Sequence, residues 1–216
     1  MIFKIKKFIN LVISVFFKIY PFKSYLLNTY SAYTIEEKLN LRTPYTNLKL
    51  IKFLTNYAKE NSDLNVFEYG SGSSTLFFED HFSNVYSVEH DDTWFHTITK
   101  YVKNAKVFYV PPVKKNNPLV KSQKKGFKNL DFSDYVNSIK NFELYFDIIF
   151  IDGRARVDCL KIARNYLKPN GIIIIDDSSR FRYKIVISKL FPNNKVTHFR
   201  GFGTFIPLLH KASIIN

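Results

Sequence analysis

Short apolar runs alternate along the chain with stretches in which apolar residues recur at helical spacing. The predicted helices cover residues 35–41, 48–60, 74–81, 92–102, 132–140, 157–167 and 182–190. The predicted strands cover residues 66–69, 85–89, 107–110, 146–151 and 172–175, with residues 195–200 and 212–215 as a terminal antiparallel pair. Alternating strands and helices of this kind predict a sheet with helices on both of its faces.

The apolar run at residues 146–151 is typical of a buried parallel strand, which has hydrophobic neighbours on both faces. We therefore predict an α/β fold with a doubly wound, mostly parallel sheet of seven strands and an N-terminal helical extension. A chain of 216 residues is long enough to bury one full core. We assign residues 46–216 to a single cofactor-binding domain and residues 1–45 to the extension.

The N-terminal sequence is strongly apolar and basic between residues 2 and 22. Its longest stretch without a charge, residues 8–17, has ten residues, whereas a spanning helix needs roughly 20 apolar residues. On a helical wheel, one narrow polar stripe is formed by Lys4, Lys7, Asn10, Ser14 and Lys18. Such a helix suits a membrane interface, and it equally suits packing on the domain or on a second subunit.

The formal net charge of +14 favours anionic partners, although background lysine enrichment explains it equally well. Besides the N-terminus, a second group of lysines lies between Lys114 and Lys128. We expect this polar segment, residues 113–130, to be a mobile insertion near the ligand face. The one cysteine, Cys159, rules out an internal disulfide and suits a reducing compartment. The predicted location is cytoplasmic, with peripheral contact at the inner membrane face.

Two strand ends carry acidic residues where a nucleotide-like cofactor needs them. The first predicted strand ends at Glu68-Tyr69 and is followed by the small-residue loop Gly70-Ser71-Gly72-Ser73-Ser74-Thr75. A second strand ends in Glu89, 21 positions after Glu68, and His90 follows it. Glycines let a backbone approach a ligand closely, and an acid at the second strand end accepts hydrogen bonds from ribose hydroxyls. The predicted cofactor-binding residues are Glu68, Gly70, Ser71, Gly72, Ser74, Thr75, Glu89 and His90.

These motifs resemble those of class I S-adenosylmethionine-dependent methyltransferases, and the resemblance extends from Val66 to the C-terminus. Glu68-x-Gly70-x-Gly72-x-Ser74 is similar to their first motif, with serine where a third glycine is common. The stretches 67–75 and 87–91 resemble, more narrowly, small bacterial methyltransferases encoded with surface-polysaccharide genes, which are thought to act on sugar hydroxyls. The resemblance implies an enzyme that uses S-adenosylmethionine.

Acidic residues also end the fourth and fifth predicted strands, at Asp152 and at Asp176-Asp177. In a parallel sheet these ends lie side by side, and converging carboxylates need a proton, an arginine or a cation. The three aspartates resemble the acidic triplet of metal-dependent O-methyltransferases, which implies a Mg²⁺ site. Asp152 and Asp177 are then the catalytic candidates, through the metal or as a general base.

Three arginines follow these acids, and two interpretations of them stay open. Arg154, Arg156 and Arg180 offer planar guanidinium groups that suit a uronate or phosphate on the substrate. Arginines beside aspartates are also common as structural ion pairs. The remaining histidines show no spacing typical of a zinc site.

The predicted function is an S-adenosylmethionine-dependent O-methyltransferase that acts, with or without Mg²⁺, on a sugar hydroxyl of a glycan or glycan precursor. An RNA or DNA methyltransferase is one alternative, since the chain is basic. The fourth strand lacks the N/D-P-P-Y/F loop of enzymes that methylate base nitrogens. A NAD-binding oxidoreductase is another alternative, although Thr75 stands where its fingerprint requires glycine.

Overall fold

The computed structural model describes residues 34–205 and 209–216. Its main sheet has seven strands in the order β3-β2-β1-β6-β7-β9-β8, and a separate two-stranded sheet pairs β4 with β5. The strands are β1 Asn65–Tyr69, β2 Asn84–Glu89, β3 Lys106–Tyr109, β4 Val113–Lys114, β5 Leu130–Asp131, β6 Phe146–Ile151, β7 Leu167–Ile175, β8 Val196–Phe202 and β9 Leu209–Ile215. The predicted doubly wound, mostly parallel sheet is confirmed.

Helices cover both faces of this sheet. They are α1 Ile35–Asn40, α2 Leu48–Glu60, α3 Ser73–His81, α4 Asp92–Ile98, α5 Ser133–Asn137, α6 Arg156–Ala163 and α7 Phe181–Leu190. Short 3₁₀ turns follow α5 at Ser138–Phe142 and α6 at Arg164–Tyr166. The helix predicted at residues 157–167 ends early because Pro169 disfavours helical backbone at Lys168. β7 therefore begins five residues before its predicted start at residue 172.

Side chains of the central strands alternate between two apolar layers. Phe67 and Tyr69 of β1 lie in one buried cluster with Ile149 and Ile151 of β6. Val66 lies in the opposite cluster, against α2 and α3. Because side chains alternate along a strand, Glu68 points to the same face as Val66, toward α3. The acid of the first motif therefore lies inside the protein.

The strand order brings the predicted site residues to one edge. β1 pairs in parallel with β2 on one side and with β6 on the other. The ladder continues past the strand ends, since the Gly70 amide donates to Val88 at 2.9 Å and the Asp152 amide donates to Tyr69 at 3.0 Å. The Asp176 amide donates to Ile151 at 3.1 Å. This is the point where strand order reverses, and ligands of open α/β sheets bind there.

Two glycines permit the close approach of the chain segments that leave β1 and β6. Gly70 has a φ of +99°, and a Cβ there would lie 2.7 Å from Cα of Gly153. A Cβ on Gly153 would lie 1.9 Å from the hydroxyl of Tyr135, whose side chain is fully buried. The Gly153 backbone therefore leaves no room for a side chain at Gly70, and the buried Tyr135 leaves none at Gly153.

The described part of the predicted extension packs on the domain. Leu39 of α1 is buried against Leu76 and Ile98. Arg42 lies 2.5 Å from a carboxylate oxygen of both Glu79 and Asp80 on α3. The membrane or packing helix predicted at residues 2–22 lies outside the described residues, and the boundary after residue 45 stays a prediction. Among the described helices, none is long and apolar enough to cross a membrane.

Replacing Gly153 with alanine is expected to lower the free energy of unfolding by about 1–3 kcal/mol, because the new methyl group overlaps the Tyr135 hydroxyl. Urea unfolding measures the change, and Tyr135→Phe in the same chain should restore part of the loss. Gly201→Ala is the matched control, since its Cβ would meet nothing closer than 3.6 Å. Equal stability of the Gly153 and Gly201 variants would contradict the close approach.

Candidate active site

Glu68 organises the loop between β1 and α3 and does not face the ligand cleft. Its side chain is 0% exposed, and its carboxylate accepts hydrogen bonds from the hydroxyls of Ser74, Thr75 and Ser87. The Thr75 hydroxyl also accepts the Gly72 amide at 2.9 Å. In the structure the Ser74 and Thr75 hydroxyls donate to Glu68, and the contact of Glu68, Ser74 and Thr75 with a cofactor stays a prediction. These groups shape the loop that Gly70, Ser71 and Gly72 present to the cleft.

Burial raises the pKa of Glu68 to about 7, and the hydrogen bonds from the three hydroxyls oppose that rise. The folded protein thus holds a proton on Glu68 at a pH where the unfolded chain has released it. The ordinary value is 4.5.

Glu89 lies at the end of β2, as predicted, with its carboxylate already oriented by backbone amides. It accepts the amides of Ser71 at 3.1 Å, His90 at 2.7 Å and Asp91 at 2.8 Å. Nδ1 of His90 lies 2.6 Å from the carboxylate but lacks hydrogen-bond geometry toward it. These amides fix the Glu89 carboxylate beside Gly70, where it can accept hydrogen bonds from a diol.

Two cavities meet at the carboxyl edge of the sheet and share Gly70, Ser71, Trp94 and Asp152 in their walls. The first, of about 420 Å³, also contains Glu89, His90, Asp91, Thr93, Lys124, Phe127, Gly153 and Arg154. The second, of about 360 Å³, also contains Ile35, Lys38, Leu39, Tyr45, Gly72, Ser73 and Ser74. We call the two together the cofactor cleft. Its polar end at Glu89 and its end under α1 suit a ligand with a ribose and a flexible tail.

Trp94 is a cleft residue that the sequence analysis did not select. Its indole donates to the carbonyl of Ser71 at 2.7 Å, which fixes the ring against the glycine loop. Asp91 caps α4 by accepting the Trp94 amide at 2.9 Å. An aspartate just before a helix is a local signal for a cap. The orientation of the indole toward the glycine loop depends on tertiary packing and has no such signal.

The basic insertion between β3 and α5 is a folded wall of the site. Its ends pair as β4 and β5. The Asp131 carboxylate accepts bonds from Lys115, Leu119 and Ser133, and these bonds, that from the Ser133 hydroxyl foremost, hold its pKa well below the ordinary range. Phe127 packs against His90 with ring centroids 5.8 Å apart. The insertion thus lines the cofactor cleft.

Asp152 and Asp176 form a buried acid pair at the ends of β6 and β7. Burial raises the pKa of both carboxyls, and the charge of Asp152 raises that of Asp176 further. The charge of Arg156 and a hydrogen bond with the Asp176 carboxyl oppose the rise in the pKa of Asp152. Asp176 is 2% exposed and accepts the Thr46 hydroxyl at 2.5 Å. We assign a proton to Asp176, so that Asp152 is the ionised carboxylate that faces the cleft.

His210 of β9 stands beside this pair, although its sequence context carried no signal. Its Nε2 lies 3.6 Å from a carboxylate oxygen of Asp176. Burial lowers the pKa of His210. Only the antiparallel placement of β9 next to β7 brings this residue to the site.

The predicted metal triplet is not brought together. Asp177, with a φ of 51°, turns away from Asp152 and Asp176. Its carboxylate accepts a hydrogen bond from Arg180 at 2.5 Å. Asp152 instead pairs with Arg156 at 2.6 Å. Within the described ranges, no group of three or more His, Cys, Asp or Glu side chains is arranged to hold a metal ion. Asp177 also contributes nothing to the walls of the cofactor cleft. The structure therefore gives the predicted metal triplet no support, and a catalytic Asp177 stays a prediction.

The three arginines have different surroundings. Arg156 donates hydrogen bonds to the backbone carbonyls of Gly153, Asp176 and Asp152 and to the Asp152 carboxylate. It therefore links the end of β6 to the end of β7. These bonds fit the structural interpretation of Arg156, and its substrate contact stays a prediction. Arg180 pairs with Asp177 and is half exposed. Nε of Arg154 is buried and has no hydrogen-bond partner among the described residues.

Comparison with known proteins identifies the fold. No protein-family model matches the chain, and no curated protein does. An O-methyltransferase from Bacillus cereus, solved in complex with SAH, is 17% identical, with a TM-score of 0.59 and all of both chains covered. A putative O-methyltransferase from Klebsiella pneumoniae is 15% identical, with a TM-score of 0.57, 97% of this chain and 96% of that chain covered.

A methyltransferase-like protein from Silicibacter pomeroyi is 21% identical, with a TM-score of 0.51, 81% of this chain and 90% of that chain covered. The likeness establishes a Rossmann-like methyltransferase fold. Dinucleotide-binding sheets place their sixth strand directly beside the fifth, whereas here the antiparallel β9 separates β8 from β7. The strand order therefore does not support the alternative of a NAD-binding oxidoreductase.

Glu68→Gln should change how stability depends on pH. Because the pKa of Glu68 is higher in the folded than in the unfolded state, the wild-type free energy of unfolding should fall as pH rises from about 4.5 to about 7. The fall attributable to Glu68 is on the order of 3 kcal/mol. Urea unfolding of both proteins at pH 4.5 and pH 8 measures it, and parallel pH profiles would contradict the buried, protonated Glu68.

Proposed function

We propose that the protein is an S-adenosylmethionine-dependent O-methyltransferase whose acceptor is a sugar hydroxyl of a glycan or glycan precursor. The single observation that carries the proposal is the cofactor cleft, with the Glu89 carboxylate held by three amides beside Gly70. The methyltransferase fold supports the same cofactor, since a solved O-methyltransferase of this fold was crystallised with SAH.

The residues present fit this cofactor. A Cβ at Gly70 would fill the space between the β1 and β6 ends, and Glu89 offers acceptor oxygens for a ribose diol. Gly72 and Ser73 begin α3, whose amide end suits the carboxylate of a methionine tail. When bound, S-adenosylmethionine supplies an electrophilic methyl group for in-line displacement.

Asp152 is the proposed general base, because it is the ionised member of the acid pair and lines both cavities. Its carboxylate takes the proton of the acceptor hydroxyl while the oxygen forms its bond to the methyl carbon. Arg156 holds Asp152 from behind, and protonated Asp176 donates to it, so both orient the base. A raised pKa makes a carboxylate a stronger base toward a hydroxyl.

The choice of a sugar acceptor rests on the sequence resemblance to methyltransferases encoded with surface-polysaccharide genes and on the polar character of the site. The basic, apolar sequence at residues 2–22 supports work at the inner membrane face, where lipid-linked glycan precursors are assembled. A nucleic-acid acceptor would need a route for a strand across the cleft, and α1 and the insertion wall the cleft on both sides.

SAH binding is expected to change the fluorescence of Trp94, the one tryptophan of the chain, which lines both cavities. Glu89→Ala should weaken binding at least tenfold, because a buried ribose diol loses its charged acceptor. Asp63→Ala, in the turn before β1, is the control and should bind as the wild type does. Equal affinities in wild type and Glu89→Ala would contradict the proposed ribose site.

Asp152→Asn should bind SAH with near wild-type affinity but lose about 10²-fold or more in methyl transfer, because asparagine cannot accept the proton. Radiolabelled S-adenosylmethionine with nucleotide-sugar acceptors such as UDP-glucose and UDP-glucuronate measures the transfer. Asp177→Asn, two residues after the end of the neighbouring strand β7, is the matched control. A larger loss in the Asp177 variant than in the Asp152 variant would refute Asp152 as the base.

A chain that lacks residues 1–24 should lose co-sedimentation with vesicles rich in phosphatidylglycerol. The full chain should bind these vesicles and not neutral phosphatidylcholine vesicles, because the lysine stripe attracts anionic lipid. Replacing Lys4, Lys7 and Lys18 with glutamine should weaken binding without shortening the chain. Undiminished sedimentation of the truncated chain would show that the segment is not the membrane contact.

A further inference from the structure

A cavity of about 580 Å³ adjoins the cofactor cleft, and seven of its fifteen lining residues are basic. Its cationic residues are Lys121, Lys124, Arg154, Arg156, Lys161, Arg180 and Arg182, and its one acidic residue is Asp158. It shares Lys124, Gly153 and Arg154 with the cofactor cleft. We call it the cationic cavity. Because Gly153 directly follows Asp152, a molecule in this cavity lies next to the proposed base.

Part of this charge is neutralised within the protein. Arg156 pairs with Asp152, Arg180 with Asp177, and Lys161 with Asp158 at 2.7 Å. Arg182 is held at the cavity by the side-chain oxygen of Gln123 and by the Tyr183 hydroxyl at 3.0 Å. These pairs leave the cavity with a surplus of positive charge.

Four basic side chains of the cavity have no carboxylate within 4.0 Å among the described residues: Lys121, Lys124, Arg154 and Arg182. Arg154 is the most constrained of them, because its guanidinium lies 5.6 Å from the Phe127 ring while Nε is buried without a partner. A buried donor without an acceptor costs free energy, which a bound anion would recover. The four cations come from three separate segments of the chain and line one cavity.

α6 adds to the positive potential, since it starts at Arg156 in the cavity wall and has no side-chain cap at its N-terminus. Uncapped amides at a helix start favour an anion. A ligand with a single carboxylate would pair with Arg154 and leave Lys121 and Lys124 without a partner. A diphosphate ester, ionised on each phosphorus atom and rich in acceptor oxygens, matches the convergent set better.

We propose that the cationic cavity binds the diphosphate group of the methyl acceptor, so that the substrate is a sugar linked through a diphosphate. This inference rests on the proposed methyltransferase function and names the acceptor class of the same site. A nucleotide-linked sugar and a lipid-linked sugar share this chemistry. The diphosphate in the cavity holds the sugar toward Asp152, and the surplus positive charge raises the rate of encounter with such anions.

The test is calorimetric binding of UDP and of geranyl diphosphate to the full chain saturated with SAH. Both probes should bind, and the tighter one identifies the nucleotide or the lipid as the source of the diphosphate. Lys121→Gln with Arg182→Gln should weaken both by about tenfold or more, since the two residues line only the cationic cavity. Lys121→Gln alone, at an exposed position of the insertion, should weaken them less.

Lys59→Gln with Arg200→Gln is the matched control, because it removes the same two residue types from exposed positions outside the cavity. SAH should bind all four proteins equally. Normal SAH binding with no binding of either probe, or with equal probe affinity in test and control variants, would overturn the diphosphate site while the methyltransferase function stands. Failure of SAH to bind the wild type would instead overturn the proposed function.

Discussion

The close approach of the backbone at Gly70 and Gly153 is the constraint on which the site depends. A Cβ at Gly70 would lie 2.7 Å from Cα of Gly153, so the chain leaves β1 and β6 side by side with nothing between. Asp152 follows the last residue of β6 and precedes Gly153, which places its carboxylate at the junction of the two cofactor cavities. Glu89 reaches the same junction because β2 runs parallel to β1 on the other side.

The carboxylates around this junction differ in burial and in hydrogen-bond partners, and these differences suit them to different roles. Glu68 is buried and accepts hydrogen bonds from hydroxyl groups. Its raised pKa is consistent with a structural role. Burial raises the pKa of Asp176, and Arg156 opposes the corresponding rise in the pKa of Asp152. Glu89 is held by backbone amides and stays available to a ligand. The surplus of basic residues lies next to this acidic edge, in the cationic cavity, where we propose that the diphosphate of the acceptor binds.

The sequence predicted the sheet, its strand ends and the acid at β2, because these depend on local hydrophobic pattern and on motif spacing. It predicted Glu68 as a cofactor-binding residue, whereas strand alternation turns that side chain toward α3. It also grouped Asp177 with Asp152 and Asp176, although a single residue with positive φ turns Asp177 away. Trp94, Phe127 and His210 were missed as site residues because they reach the site through long-range packing of α4, the insertion and β9, which no local pattern encodes.

The most direct measurement of the central claim is calorimetric titration of the wild-type chain with SAH and, separately, with NAD. The cleft around Gly70, Glu89 and Asp152 predicts saturable binding of SAH with one site per chain and no binding of NAD at the same concentrations. Binding of NAD without SAH would contradict the account, because the acid pair at β6 and β7 would then have no acceptor hydroxyl to deprotonate for methyl transfer.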